Sequence, residues 1–192
     1  MRCWILFLAV AFAVSLASAS SLADEGFRSV DFTTGGGIRA RADIYDSAPP
    51  SATWIVLFHQ AGWSRGEYRE IAPALVKKGY RVMAVDQRSG RAVNGVTNET
   101  QRRAAKKKLP TGYLDAYADL EAALRYARKE LGAQRIIVWG SSYSASLVLR
   151  LAAEHAKDVT AAMSFSPGEY FERQGPSYIR SFATRVTQPL FV

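Results

Sequence analysis

The sequence of 192 residues predicts an α/β fold: a doubly wound, mainly parallel sheet with an antiparallel hairpin at its N-terminal side. Three observations carry this expectation. Short continuous apolar runs, Trp54-Ile55-Val56-Leu57-Phe58 and Ile136-Ile137-Val138-Trp139, read as strands covered on both faces, as parallel sheets require. Stretches with helical spacing alternate with these runs, the order from which crossover units are built. Ahead of them, residues 27–32 and 38–45 alternate apolar and polar side chains around Gly35-Gly36-Gly37, the pattern of a hairpin with half-exposed strands.

Taken in order, the core begins after Pro49-Pro50 with the strand at 54–58. A helix follows over 68–78, on Ile71, Leu75 and Val76, and Gly79 stops it. The next strand is 80–85. Residues 87–112 are polar and rich in Gly, Asn and Lys, longer than an ordinary connection, and read as one large excursion ending at Pro110-Thr111-Gly112. Helical spacing returns over 113–131 through Leu114, Tyr117, Leu120, Leu124 and Ala127, and leads into the strand 135–139. A helix from about Tyr143 to His155, a strand over 159–165, a short helix within 177–186 and the start of a strand at 188–192 complete the chain.

Before all of this lies Met1-Arg2-Cys3-Trp4, then an apolar run from Ile5 to Leu16, which falls short of the ~20 residues that span a bilayer. Ala17-Ser18-Ala19 and Ser21-Leu22-Ala23 both fit the small-x-small cleavage pattern. Residues 1–23 are therefore expected to be a signal peptide, and 24–192 one domain, exported to the periplasm or secreted, with no stable membrane insertion after cleavage. Cys3 is the only cysteine and would leave with the leader, so no disulfide, thiol nucleophile or cysteine metal site is expected. No metal-ligand cluster is visible either, and no cofactor is expected.

Against 17 acidic residues stand 25 basic ones. Much of the excess sits in Arg102-Arg103 and Lys106-Lys107-Lys108, inside the polar excursion and without a nucleic-acid motif around it, so a solvated basic segment is the reading and no nucleic acid is expected as a partner. No Gly-x-Gly-x-x-Gly or Gly-x-x-x-x-Gly-Lys follows a strand, which argues against nucleotide binding.

The chemistry concentrates where the strand 135–139 runs through Gly140-Ser141-Ser142-Tyr143-Ser144 into a helix. A turn this sharp strains its central residue, Ser142, and requires small residues two before and two after it, here Gly140 and Ser144. Directly after the first buried strand comes His59-Gln60-Ala61-Gly62, and after the next comes Asp86-Gln87-Arg88-Ser89-Gly90. Arg88 reads as structural, a brace for the loops around the site.

In these three motifs, and in their order, the sequence resembles the α/β-hydrolase superfamily, most closely its lidless dienelactone-hydrolase-like serine hydrolases. The elbow Gly-x-Ser-x-Gly appears with serine in place of its last glycine. The resemblance implies Ser142 as nucleophile of an acyl-enzyme mechanism on a small-molecule ester, lactone or related acyl substrate. It implies an oxyanion hole from the backbone N–H of Tyr143 with that of Ala61 or Gln60, in a loop supported by His59 and Gly62. About 20 residues separate Ser166 from the following strand, too few for a cap domain, so an open pocket edged by Trp63, Tyr143 and Tyr170 is expected. Trp63 and Glu169 are candidate substrate contacts.

In the superfamily's order of nucleophile, acid and histidine, the acid comes just after the strand that Leu190-Phe191-Val192 begins, and the histidine one strand later. The two histidines present do not fit that order. His59 precedes the nucleophile, and His155, twelve residues along the helix, is roughly 18 Å from the elbow. The fold is thus expected to be incomplete at its C-terminus, lacking a strand and a helix, with a parent form longer by roughly 50 to 80 residues. The 192 residues alone are expected to be inactive. The rival reading is a non-catalytic binding protein or pseudoenzyme of the cell envelope on the same fold. Oligomeric state is left open.

Overall fold

The computed structural model describes residues 26–192; the signal-peptide reading of 1–23 lies outside the described residues. A hairpin opens the sheet, β1 (Arg28–Thr34) against β2 (Ile38–Tyr45), with Arg28 opposite Ile44 and Thr34 opposite Ile38. Gly36 and Gly37, at φ 78° and 68°, supply the left-handed residues of its turn. β2 is more buried than its alternation predicts. Asp43 faces the interior, where it accepts from Ser29 Oγ at 2.6 Å and pairs with Arg65 Nε at 2.9 Å.

β3 (Trp54–Phe58) is buried along its whole length, and its alternate residues serve two cores. Trp54, Val56 and Phe58 pack toward α3 (Tyr117–Lys129) and α4 (Tyr143–Glu154); Ile55 and Leu57 pack with Tyr68 and Ala72 beside α1 (Ile71–Lys77). This division makes the sheet doubly wound. On α1 it is Ala72 that is buried, whereas Ile71 is exposed. β4 (Arg81–Val85) and β7 (Ile136–Ser141) flank β3, both parallel to it. β8 (Ala161–Phe165) and β9 (Leu190–Phe191) extend the sheet beyond β7, also in parallel, after the short helix α5 (Tyr178–Ala183). The strand order is β1-β2-β4-β3-β7-β8-β9. The chain leaves β3 for β4 on one side and returns to β7 on the other, and such a reversal opens a crevice at the carboxyl ends of these strands.

The segment read as one large excursion carries elements of its own. It contains a small ribbon, β5 (Ala92–Val93) with β6 (Val96–Thr97), and the helix α2 (Glu99–Lys106). The periodicity of α2 is invisible in an apolar scan because only Thr100 and Ala104 are buried on it. Its start is set by Asn98, whose side chain accepts from Gln101 N–H at 2.8 Å, and by Asp86, which accepts from Glu99 N–H at 2.8 Å.

Arg88 braces the fold as the sequence suggests, but against α3 and the hairpin. Its guanidinium meets the buried Asp119 at 2.7 Å and also donates to Gly35 O at 3.0 Å. Thr34 closes the group, its hydroxyl donating to Asp119 at 2.6 Å. Thr34→Val keeps the shape and leaves Asp119 its arginine, so the expected loss is the buried hydrogen bond to charged Asp119 together with the longer one accepted from Arg88 Nη2 at 3.3 Å, about 2 kcal/mol in urea denaturation. A variant with an unchanged midpoint would remove this group from the account of stability.

Candidate active site

Between β7 and α4 the backbone turns at Ser142, with φ 56° and ψ −122°. A non-glycine residue there is strained by about 1–3 kcal/mol, and the surroundings hold it in place. Ser142 N–H is tied to Phe165 O on β8 at 2.9 Å. A Cβ on Gly140 would fall onto the Ser144 carbonyl and within 2.6 Å of Ala145 N, so position 140 admits only glycine.

Serine at 144 has a partner set of its own. It is fully buried, its hydroxyl donates to His59 O at 2.5 Å and it accepts from Gln87 Nε2 at 2.5 Å. The departure from glycine thus ties the elbow to the loop that follows β3. Phe58 lies opposite Gly140 in the sheet, which brings the two strand ends together.

Gln87, a spacer position in the sequence reading, is the hub of this region. Its side chain accepts from His59 N–H at 3.1 Å and places its amide against Ser144 Oγ and, at 3.1 Å, Tyr143 Oη. Only its position at the end of a buried strand hinted at such a role.

His59 is fully buried. Its Nδ1 lies 2.8 Å from Gln60 O, which can only accept, so Nδ1 carries the proton and Nε2 accepts from Gln87 N–H at 3.2 Å. Asn98 Nδ2 approaches the same Nε2 at 3.2 Å. Gly90 makes room for the ring, since a Cβ there would come within 2.8 Å of its Cε1. Burial lowers the His59 pKa from 6.5 to about 4, and the hydrogen bond to Gln60 only partly offsets this. The unfolded chain therefore binds a proton that the folded chain refuses between these values. Stability from His59 is full above about pH 6.5 and declines by about 3 kcal/mol as pH falls to 4. With two histidines in the sequence, NMR should show one imidazole that does not titrate down to about pH 5. Titration of the His59 imidazole near 6.5 would contradict the buried neutral ring.

The same Gln60 carbonyl also accepts from Trp63 N–H at 3.3 Å. Because a trans peptide points its N–H opposite its C=O, the Ala61 N–H is turned away from the imidazole. It makes no hydrogen bond among the described residues. Gln60 N–H, in contrast, is taken by the Glu67 carboxylate at 2.7 Å. Gly62, at φ 75°, completes the loop's reversal. Tyr143 is the first residue of α4, where an N–H has no intrahelical partner.

His155 ends α4 and its Nε2 is 3.1 Å from Glu121, remote from the elbow. Glu169 accepts from the N–H groups of Ile179 and Arg180, both at 2.8 Å, and so holds the first turn of α5. Trp63 is 37% exposed, and its carbonyl accepts from Arg91 N–H at 3.0 Å. The Tyr143 ring does not edge a pocket: it is buried beneath Tyr113, whose ring stacks on it at 4.6 Å. Tyr113, unmarked in the sequence, separates two open clefts. One, of about 490 Å³, runs along Leu114, Tyr170 and Phe171; the other, of about 460 Å³, runs along Gly62, Ser89 and Arg91. Trp63 borders neither. Among the described residues no three His, Cys, Asp or Glu side chains gather to hold a metal ion, and no helix is long and apolar enough to cross a membrane.

With this geometry in view, residues 49–192 match the family model Hydrolase_4, described as serine aminopeptidase, S33. The chain belongs to the Hydrolase_4 family. Solved structures agree with that assignment at the level of fold. An esterase from Pyrococcus furiosus is 19% identical with a TM-score of 0.62, over 85% of this chain and 67% of that one. A dienelactone hydrolase from Anabaena variabilis is 17% identical with a TM-score of 0.64, over 85% of this chain and 70% of that one. A carboxyl esterase from Bacillus coagulans is 16% identical with a TM-score of 0.57, over 72% of this chain and 43% of that one. No curated protein sequence matches the chain. The Hydrolase_4 chain is accordingly an α/β-hydrolase, with its mainly parallel sheet and N-terminal hairpin as the sequence predicted.

Proposed function

We propose that this α/β-hydrolase is a serine hydrolase of carboxylic esters, lactones or related acyl bonds, acting through an acyl-enzyme on Ser142. The observation that carries the reading is the strained φ of 56° at Ser142, on a strand-to-helix elbow beside the crevice between β3 and β7. Strain at one polar side chain, held by a glycine and a buried serine, has a use if that hydroxyl must stand clear of the backbone to attack a carbonyl.

Ser142 Oγ attacks the acyl carbon, its proton leaves to a base, and the carbonyl oxygen becomes an oxyanion facing Tyr143 N–H and Ala61 N–H. Each such donor is worth roughly 3 kcal/mol in the transition state. Gln60 N–H is not available for this, being held by Glu67. Collapse expels the alcohol with the proton returned by the base, and water then releases the acid by the same route.

The base is neither histidine of this sequence. His59 has both ring nitrogens engaged and a pKa of about 4, and His155 lies at the far end of α4. The reading therefore needs a base other than these two imidazoles. It also places the protein in the periplasm or outside the cell, on the strength of its leader-like first 23 residues. Residues 1–192 alone should give no Ser142-dependent hydrolysis of p-nitrophenyl acetate, whereas the chain as made in the cell should. Labelling by a fluorophosphonate should mark the latter and be abolished in Ser142→Ala. Turnover that survives Ser142→Ala would remove the serine from the mechanism.

A further inference from the structure

Glu67 belongs to none of the three motifs. It stands in a single 3₁₀ turn, Arg65–Tyr68, that is unusually well anchored. Arg65 donates to Asp86 at 2.7 Å and to Asp43 at 2.9 Å, and Tyr68 Oη donates to Phe58 O on β3 at 2.7 Å. Ser64, just before the turn, donates to Val96 O at 2.7 Å, and Asn94 donates to Gly66 O at 3.1 Å. From this base the Glu67 carboxylate reaches two places at once. It accepts from Gln60 N–H at 2.7 Å, and burial raises its pKa above the usual carboxylate value, an effect that Gln60 N–H and the hydroxyl of Ser141, the residue before the nucleophile, offset only in part.

The peptide unit between Gln60 and Ala61 is thereby gripped from one side by His59, through the Gln60 carbonyl. Glu67 grips the preceding amide from the other. Without Glu67, the Gln60 amide would compete with Ala61 for an incoming anion, and the loop would be held to the elbow only at His59, through Ser144 and Gln87.

Building on the Ser142 hydrolase reading, we infer that Glu67 is a positioning residue: it clamps the Gln60–Ala61 loop to the nucleophile turn and leaves Ala61 N–H as the loop's oxyanion donor. It acts as an acceptor, its Oε2 taking Gln60 N–H. The isosteric amide of Glu67→Gln keeps an acceptor for Gln60 N–H and can donate to the Ser141 hydroxyl oxygen, so it should replace the carboxylate.

The test uses the chain as made in the cell, with p-nitrophenyl acetate as probe, and compares wild type, Ser142→Ala, Glu67→Ala and Glu67→Gln. Glu67→Ala is expected to lower kcat roughly 10- to 100-fold with KM little changed, and Glu67→Gln to recover most of that loss. Amide exchange, read separately by NMR, should be at least about tenfold faster at Gln60 in Glu67→Ala than in wild type. An unchanged kcat in Glu67→Ala, or equal losses in the alanine and glutamine variants, overturns the inference. A wild-type protein without Ser142-dependent turnover would instead sink the hydrolase reading, and the Gln60 exchange rate would then decide the Glu67 clamp alone: faster exchange upholds it, unchanged exchange refutes it.

Discussion

Gln87→Leu should cost roughly 2–5 kcal/mol of stability, from one buried N–H left without a partner at about 1–3 kcal/mol and two buried hydroxyls that each lose one of their two hydrogen bonds at about 0.5–1.5 kcal/mol. The groups are identifiable. His59 N–H loses its acceptor, Ser144 Oγ loses a donor, and Tyr143 Oη loses the donor that complements its own bond to Ser89 O at 3.2 Å. Leucine is close in volume, so the loss reports on polar satisfaction rather than on a cavity. The check is urea denaturation followed by circular dichroism, with Gln87→Glu alongside. The glutamate keeps an acceptor for His59 N–H but offers no amide donor to Ser144, and should fall between the two. A Gln87→Leu variant within about 1 kcal/mol of wild type would mean that the network is dispensable to folding.

Gly140→Val should be more severe still, with an expected loss above about 4 kcal/mol and the chain recovered mainly as insoluble protein. What the new Cβ meets is the Ser144 carbonyl and Ala145 N, which are backbone atoms of the first turn of α4 and cannot rotate aside. Relief would require the elbow to open, and with it the pairing of Gly140 with Phe58 and Ser164. Gly140→Ala tests the same contact with the smallest possible group. If its soluble yield and melting temperature matched wild type, the elbow would not be the rigid element on which the Ser142 reading depends.

The buried strands, the hairpin and the helix after the elbow were legible in the sequence, because burial on both faces writes an unbroken apolar run such as Trp54–Phe58 and a helix writes a repeating face. The elbow was legible for a steric reason: a strained residue between strand and helix needs small neighbours, and Gly140 and Ser144 are small whatever surrounds them. α2 was not legible, since a helix with only Thr100 and Ala104 buried leaves almost no apolar signal and owes its start to Asn98 and the distant Asp86.

The same limit applies at the site. That Gln87 and not an apolar spacer joins Ser144 to His59, that Glu67 occupies Gln60 N–H and leaves Ala61 free, and that Tyr113 rather than Tyr143 faces the clefts are all pairings across 7 to 57 positions of chain. A sequence displays which residues are small, apolar or polar along one dimension, and this determined the sheet, its order of elements and the serine at its turn. Which polar atom satisfies which other is settled only when the strands bring distant backbone ends into hydrogen-bond range, where distances of a few tenths of an ångström decide the partner.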